Sequence, residues 1–340
     1  VAIDFSIVIP STSRPELLRK CLVALARHRP PGSEVIVIDD GSAQAIISQV
    51  AERQGATAHR FNRRGGFARA ANAGLRLARH DIVELLNDDT EVTARWWEPA
   101  CLHFADPRIA AVAPLVLQMP PDDPKAVRVD SAGDDYYLGG VARKRHCGDA
   151  LTQLEKYPRQ VFGASACAAF YRRQTILHVG GFPEPFGAYF EDVDLAFRLH
   201  RAGHRVIFEP SSHVWHHGGS SYGGPKGSLA VQMSRNEELV FWRNLPAADL
   251  YRALPKHLAV LCAKMLRRTC EGNVTPFIWG RLAALRLLPD ILRHRRLLAQ
   301  THPARDMAGW HIQEAYPLDF AESRLAGIKA QAGLLAAAPM

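Results

Sequence analysis

The chain has 340 residues, 47% of them apolar and 22% charged, which is enough to bury a sizeable core and excludes disorder as the default. A net charge of +8 suits an anionic partner such as a nucleotide, an acidic membrane face or a nucleic acid, and by itself chooses none of them. The six cysteines (Cys21, Cys101, Cys147, Cys167, Cys262 and Cys270) form no Cys-x-x-Cys pair, so they are read as reduced core thiols of a cytosolic protein, not as a disulfide or zinc framework.

Residues 5–10 form a β-rich apolar run ended by proline, too short for a helix or a signal peptide, and read as a buried parallel strand. Leu17, Leu18, Leu22 and Leu25 then recur at helical spacing over 15–27, with Pro15 in the first turn. A second buried strand at 34–39, a helical stretch at 43–53 and a short strand at 56–61 follow. Gly65 and Gly66 break the chain before an alanine-rich helix over 67–79, and a fourth strand at 82–86 ends in Asn87-Asp88-Asp89. Strands and helices alternating at this spacing predict βαβ units and a Rossmann-like, mostly parallel sheet flanked by helices. Ligands of such sheets bind beyond the carboxyl ends of the strands. The interesting residues therefore stand at 10–14, 39–42 and 87–89.

Further along, 110–117 predicts a fifth strand, 120–159 an irregular insertion, 161–171 another strand-like run, 191–202 a helix and 206–209 a short strand. From Leu229 the pattern is helical, with a change of character near Pro246 that sets a catalytic domain at 1–245 against a helical C-terminal region at 246–340. The stretch 250–300 is basic and amphipathic, and no apolar run approaches the roughly 18 to 20 residues that span a bilayer.

Two adjacent carboxylates, Asp88 and Asp89, at a strand's carboxyl end can hold a hard divalent cation through oxygen. The alternative is a polar turn that caps the following run. Glu191-Asp192-Val-Asp194 opens a helix, where Asp192 and Asp194 point to nearly opposite sides and only one can face a given cleft. A carboxylate there can take a proton from an attacking hydroxyl, or can simply stabilise the helix dipole. In His213-Val-Trp-His216-His217-Gly-Gly, a histidine beside glycines can approach a metal or phosphate closely. His213 and His217 have zinc-hydrolase spacing, but Val214 stands where the glutamate base belongs and the glycines oppose a helix.

Taken in order, these motifs resemble the family 2 glycosyltransferases of GT-A fold, in particular a rhamnosyltransferase-like subgroup. The resemblance rests on Ser6-Ile-Val-Ile-Pro10, Glu34-Val-Ile-Val-Ile-Asp39-Asp40-Gly41-Ser42, Asn62 with Gly66-Phe67-Ala68, Asn72-Ala-Gly74-Leu75 and Leu85-Leu-Asn87-Asp88-Asp89-Thr90. It continues through Val179-Gly-Gly-Phe-Pro-Glu184, Phe190-Glu191-Asp192-Val-Asp194, His216-His-Gly-Gly-Ser220 and Arg235-Asn236, and covers roughly residues 3 to 245. It implies a nucleotide-binding half at about 1–118 and an acceptor-side half at about 119–245.

The resemblance also implies roles. Pro10, Ser11 and Arg14 would line the nucleotide pocket, with Asp39 on the base and Asp40 beside it. Asn62, Gly66, Arg69 and Asn72 would help to hold base, ribose or diphosphate, and Asn87 and Asp88 the donor. Asp89, with Asp88 and His216, would bind Mg²⁺ or Mn²⁺, His217 being the fallback. Asp192 would be the general base, with Glu191 in support. The implied reaction is inverting transfer from a UDP- or dTDP-sugar, dTDP-rhamnose among them, to a glycan or lipid-linked hydroxyl in cell-surface polysaccharide synthesis. Nucleic acid is not an expected partner. The expected location is the cytoplasm, with 250–300 read either as a peripheral contact at the inner membrane face or as helices packed on the core or on a second copy.

Two departures stand out. Asn87 replaces the first carboxylate of the usual D-x-D, and Gln232-Met-Ser-Arg235 is followed by Asn236 where processive members carry Trp. The rivals are a sugar nucleotidyltransferase, which would need a Gly-rich basic loop absent from Pro10-Ser-Thr-Ser-Arg14, and a nucleotide-sugar-binding protein without catalysis. A Rossmann dehydrogenase would need G-x-G-x-x-G after the first strand, which is also absent.

Overall fold

The computed structural model describes residues 4–119, 126–218, 226–303 and 307–314. Its first half runs β1 (Ser6–Ser11), α1 (Pro15–His28), β2 (Glu34–Asp39), α2 (Ile46–Arg53), β3 (Thr57–Arg60), α3 (Phe67–Leu77), β4 (Ile82–Leu86), β5 (Thr90–Val92) and α4 (Trp97–Leu102). Strands β3, β2, β1 and β4 are neighbours and all parallel, in register through Ser6↔Glu34, Ser6↔Val83 and Ile36↔Thr57. Their apolar residues face both ways: Val8, Ile36 and Leu85 pack under α3, while Ile7, Ile9 and Val37 pack under α1 and α2. Burial on both faces is why these strands read as continuous apolar runs.

The second half runs β6 (Ile109–Gln118), β7 (Val129–Ser131), β8 (Asp134–Tyr137), β9 (Val141–Lys144), β10 (Arg159–Val161), β11 (Ala168–Arg172), α5 (Arg173–His178), α6 (Glu191–Arg201) and β12 (Arg205–His216). Here the expectation of a mostly parallel sheet is corrected. The ten-stranded sheet is mixed, because β11 runs antiparallel between β4 and β6, while β12 lies parallel to β6 and antiparallel to β5 and β10. A central antiparallel strand buried on both faces has the same apolar run as a parallel one, so its direction was not readable from pattern.

Three further corrections follow. The insertion at 120–159 is not irregular: outside 120–125, which lie beyond the described residues, it holds β7 on the main sheet and a β8–β9 hairpin. The run 161–171 is two strands separated by a loop, and the strand expected at 206–209 extends through His216. Cys21, Cys101 and Cys167 are buried free thiols, but Cys147, Cys262 and Cys270 are exposed and not core residues.

The chain then forms α7 (Lys226–Asn244), α8 (Ala247–Cys270), α9 (Val274–Arg286), α10 (Leu288–Thr301) and a short β13 (Ile312–Gln313) that joins the hairpin beside β8. Leu239, Val240, Phe241, Ala253, Ala284 and Ile291 of these helices share one apolar cluster with Phe162, Phe186 and Phe197. At Gly280 a β-carbon would sit 2.4 Å from Cβ of Ser234, so α9 meets α7 almost backbone to backbone. No described helix is long and apolar enough to cross a membrane.

Candidate active site

The topology brings four chain segments to one place. Asn87-Asp88-Asp89 forms the turn from β4 into β5, and the Asn87 amide donates to the Cys167 carbonyl at 2.8 Å, tying the turn to the start of β11. β12 pairs with β5 through His216↔Thr90, and the His217 amide donates to the Asp89 carbonyl at 2.9 Å. β7 lies against β6, and the N-terminus of α6 supplies another part of the wall. Between them is a cavity of about 380 Å³ whose lining includes Asp88, Asp89, Asp134, Lys144, Asp192 and His216, with Pro10, Phe67, Asn87 and Glu191 also on its wall.

Each carboxylate of the acidic turn has a different setting. Asp88 accepts from the Ser11 hydroxyl at 2.6 Å and from Arg14 Nη2 at 3.1 Å. The same Arg14 nitrogen donates to Asp89 Oδ2 at 2.8 Å. Asp89 Oδ1 is buried and, among the described residues, accepts no hydrogen bond; it makes an ion-pair contact with His216 Nε2 at 3.3 Å. Burial pushes the Asp89 carboxyl up, but His216 and Arg14 outweigh it and hold the pKa below the ordinary carboxylate value. The other ring nitrogen of His216, Nδ1, lies 3.2 Å from Asp130 Oδ2, to which Lys144 Nζ donates at 2.7 Å. Burial opposes protonation of His216, yet its acidic neighbours raise its pKa to about 12. His217 instead pairs with Glu91 at 2.7 Å, away from the carboxylates of the turn.

The second acidic cluster divides as the helical spacing predicts. Asp194 faces inward, fully buried, 2.8 Å from Arg198 Nε and 3.3 Å from Arg243 Nε, and accepts from Asn244 at 2.8 Å. Asp192 faces the cavity, where Oδ2 accepts from the Ala166 amide at 3.1 Å and Oδ1 from the Val193 amide at 2.8 Å. Burial raises the Asp192 pKa above the ordinary value, against the pull of those amides and of Lys144. Burial raises Asp134 well above the ordinary value too, reinforced by Asp192 across the cavity. Glu191 is likewise raised well above the ordinary value, by burial first and then by Asp192, and its Oε2 has no hydrogen-bond partner among the described residues.

Several residues expected on the nucleotide are engaged elsewhere. Asp39 is completely buried and accepts from the backbone and hydroxyls of Ser42 and Ser48, while Asp40 clamps the Gly65 and Gly66 amides at 2.5 and 2.9 Å. Asn72 exchanges two 2.8 Å hydrogen bonds with the backbone of Phe182 and is turned away from the cavity. Arg69 lies over the Phe61 ring, Asn62 is exposed, and Gly66 opens α3 at φ +89°, a conformation that favours glycine. Ser11 and Arg14 stand behind the acidic turn, not on the cavity wall.

Sequence reading missed Asp130, Asp134, Lys144 and Cys167, which lie in or beside the insertion and carry no motif. It also missed what Gln232 and Asn236 do. Tyr189 and Phe190 both adopt left-handed backbone, at φ +71° and +69°, immediately before Glu191. The Asn236 amide donates to the carbonyls of Phe186, Ala188 and Tyr189, and Gln232 to those of Phe186 and Ala188, so α7 holds this strained turn in place.

A Rossmann-like parallel half ending in an acidic turn, joined to a mixed-sheet half that supplies a carboxylate and a histidine, is the architecture of a GT-A glycosyltransferase. The glycosyl transferase family 2 model matches residues 6–178, and the chain belongs to that family. It is 29% identical over 323 residues to a pre-mycofactocin glycosyltransferase of Mycobacterium tuberculosis, covering 86% of this chain and 65% of that protein. The chain thus spans just under two thirds of that relative. It is 35% identical over 166 residues to the N-acetylglucosaminyl-diphospho-decaprenol L-rhamnosyltransferase of the same organism, covering 44% of this chain and 52% of the other. The fold is similar to a crystal structure of GalNAc-T7 with UDP, GalNAc and Mn²⁺ (TM-score 0.59, 15% identity, 85% of this chain and 57% of that one). It is also similar to the mannosyltransferase PcManGT from Pyrobaculum calidifontis with GDP-Man and Mn²⁺ (TM-score 0.50, 20% identity, 88% and 87%).

Proposed function

We propose that this protein is an inverting, cation-dependent glycosyltransferase that moves a sugar from a nucleotide diphosphate to an acceptor hydroxyl, with Asp192 as general base. The observation that carries the reading is that one cavity is lined by both the Asp88–Asp89–His216 cluster and the amide-held Asp192. Cation ligands and a base lining one cavity suit an in-line displacement.

The residues fit a hard divalent cation, Mg²⁺ or Mn²⁺. Asp89 Oδ1 is buried without a hydrogen bond, and an imidazole and a second carboxylate stand beside it. Asp89 and His216, with Asp88, would hold it, and when bound it would offset charge on the departing diphosphate. Arg14 bridges both carboxylates and fixes their direction. Asp192, with its pKa raised by burial, accepts the acceptor's proton as that oxygen attacks the anomeric carbon from the face opposite the diphosphate. Glu191 stands beside Asp192 with its own pKa raised well above the ordinary value, by burial first and then by Asp192. A donor screen tests this reading. Purified protein with Mg²⁺ or Mn²⁺ is incubated with UDP-, dTDP- and GDP-sugars, dTDP-rhamnose included, and released nucleotide diphosphate is measured with and without candidate acceptors. Cation-dependent release from one donor, lost in Asp89→Ala, is expected; tight donor binding with no turnover on any acceptor would favour a binding protein without catalysis.

We further infer that the acceptor is presented at an anionic membrane surface. The outward face of α9 carries Ile278, Trp279, Leu282 and Leu285, Trp279 being 51% and Leu285 61% exposed, while Gly280 and Ala284 face the core. Residues 247–303 hold ten Lys/Arg against three Asp/Glu, a balance of +7 in a chain of +8. An apolar face in a basic helical region is the signature of an interfacial helix. Because α7–α10 share a core with α6, truncation at 246 would damage the catalytic half, so the test is Trp279→Glu with Leu285→Glu in the full chain. Flotation with phosphatidylglycerol-containing vesicles should be lost in the variant. Equal flotation would remove the membrane reading, and a shift in oligomeric state would assign the face to a second copy.

A further inference from the structure

Resting on the reading of Asp89 and His216 as cation ligands, we propose that Asp130 is the residue that positions His216 for the cation, so that an Asp130–His216 pair compensates for the carboxylate missing at position 87. The acidic turn Asn87-Asp88-Asp89 begins with an amide, and Arg14 already bridges its two carboxylates. An amide oxygen carries no charge, so the turn alone offers a divalent cation less than its usual complement.

The fold supplies a third carboxylate from elsewhere in the chain. β7 runs antiparallel to β6 through Val116↔Ser131, and β12 runs parallel to β6 on its other side through His216↔Gln118. Asp130 and His216 are thereby brought together from 86 residues apart. The two ring nitrogens of His216 face different carboxylates: Nδ1 is 3.2 Å from Asp130, and Nε2 is 3.3 Å from the unbonded Asp89 Oδ1. An ionised carboxylate can only accept, so each ring nitrogen meets its carboxylate as an N–H when no cation is bound. A cation seated at Asp89 would replace the proton on Nε2, leaving Nδ1–H on Asp130 and Nε2, which lies toward Asp89, free to ligate. A carboxylate holding the outer nitrogen of a ligating histidine fixes ring orientation and raises its basicity. Lys144, donating to the same Asp130 oxygen at 2.7 Å, keeps that carboxylate from turning away.

Cys167 belongs to the same neighbourhood, its Sγ lying within 4.8 Å of ligand atoms of Asp130 and His216. A separate soft-metal site at Asp130, Cys167 and His216 is therefore the competing assignment, and it would depend on the thiol.

Mn²⁺ binding by the full-length protein, followed by loss of the free-ion electron paramagnetic resonance signal with and without UDP, separates these readings. Asp130→Ala is expected to weaken Mn²⁺ affinity by about 10- to 100-fold, and Asp130→Asn, which keeps an acceptor oxygen for Nδ1–H, by less. In a His216→Ala background Asp130→Ala should add nothing, because it acts through the ring. Cys167→Ser should leave affinity unchanged. Circular dichroism reports folding, and the near-isosteric Asp130→Asn serves if Asp130→Ala does not fold. Mn²⁺ affinity unaltered by either Asp130 variant, while Asp89→Ala abolishes it, overturns the proposal and leaves the cation site standing. Equal losses from Asp130→Ala with and without His216 overturn it as well. Mn²⁺ binding that Cys167→Ser abolishes assigns the cluster to a separate metal. No Mn²⁺ binding by the wild type under either condition removes the underlying cation reading together with the proposal.

Discussion

The two halves of the sheet treat their carboxylates in opposite ways. In the parallel half, Asp39 and Asp40 lie at the end of β2 and just beyond it; Asp39 is occupied by the hydroxyls and amides of Ser42 and Ser48, and Asp40 by the Gly65 and Gly66 amides before α3. In the mixed half, Asp134, Glu191 and Asp192 are buried around one cavity with too few donors, and their pKa values rise. The first arrangement leaves its carboxylates saturated with donors; the second leaves them short of donors and more basic. A carboxylate at a strand end is therefore no guide to chemistry until its partners are counted.

Substitutions can break that contrast, and the largest effect belongs to the cavity. Asp192→Asn should reduce turnover by about 10²- to 10⁴-fold while donor affinity measured by calorimetry stays within about twofold. Unchanged turnover would move the base elsewhere. Asp194, two residues away, should behave as a structural residue. Removing it leaves Arg198 and Arg243 without their buried counter-charge, and Asp194→Ala should cost about 3 to 5 kcal/mol in urea unfolding. Asp39→Ala removes the acceptor for four donors and should cost about 1 to 3 kcal/mol, with the 39–48 loop becoming protease-sensitive. Stability lost in Asp39→Ala without any loss of donor affinity would mean that this loop does not touch the donor.

The smallest effect is a pH slope. Glu84, buried in the centre of β4 and bonded only to Trp96 Nε1, has its pKa pushed up to about 8 by burial, against a small opposing pull from that bond. A folded-state pKa above the unfolded value favours folding fully below about 4.5, and that contribution is lost as pH rises through about 8. Glu84→Gln should therefore flatten the decline of melting temperature between these values and stabilise the protein most at the alkaline end. An unchanged profile would mean that Glu84 does not titrate in this range.

Much of the architecture was legible in the residues. The apolar runs of β1, β2 and β4 and the helical leucines of α1 were read close to their observed places, because local pattern and burial agree there. Asn72 shows where this stops. It stands in a motif and on the right helix, yet the Phe182 backbone, 110 residues away, takes its side chain. Gln232 and Asn236 show the converse, since their departure from the processive pattern said nothing of the left-handed turn they hold.

The sequence by itself determined the class of fold, the alternation of strand and helix, the acidic turn after the fourth strand, and the opposed directions of Asp192 and Asp194, because each depends on periodicity or on neighbours within a few residues. Only the tertiary structure decided the direction of β11, the pairing of His216 with both Asp89 and Asp130, and the environments that separate a saturated carboxylate from a strained one. Those depend on which strands become neighbours across 82 to 127 residues of chain, and on the burial that results, neither of which leaves a periodic trace in the sequence.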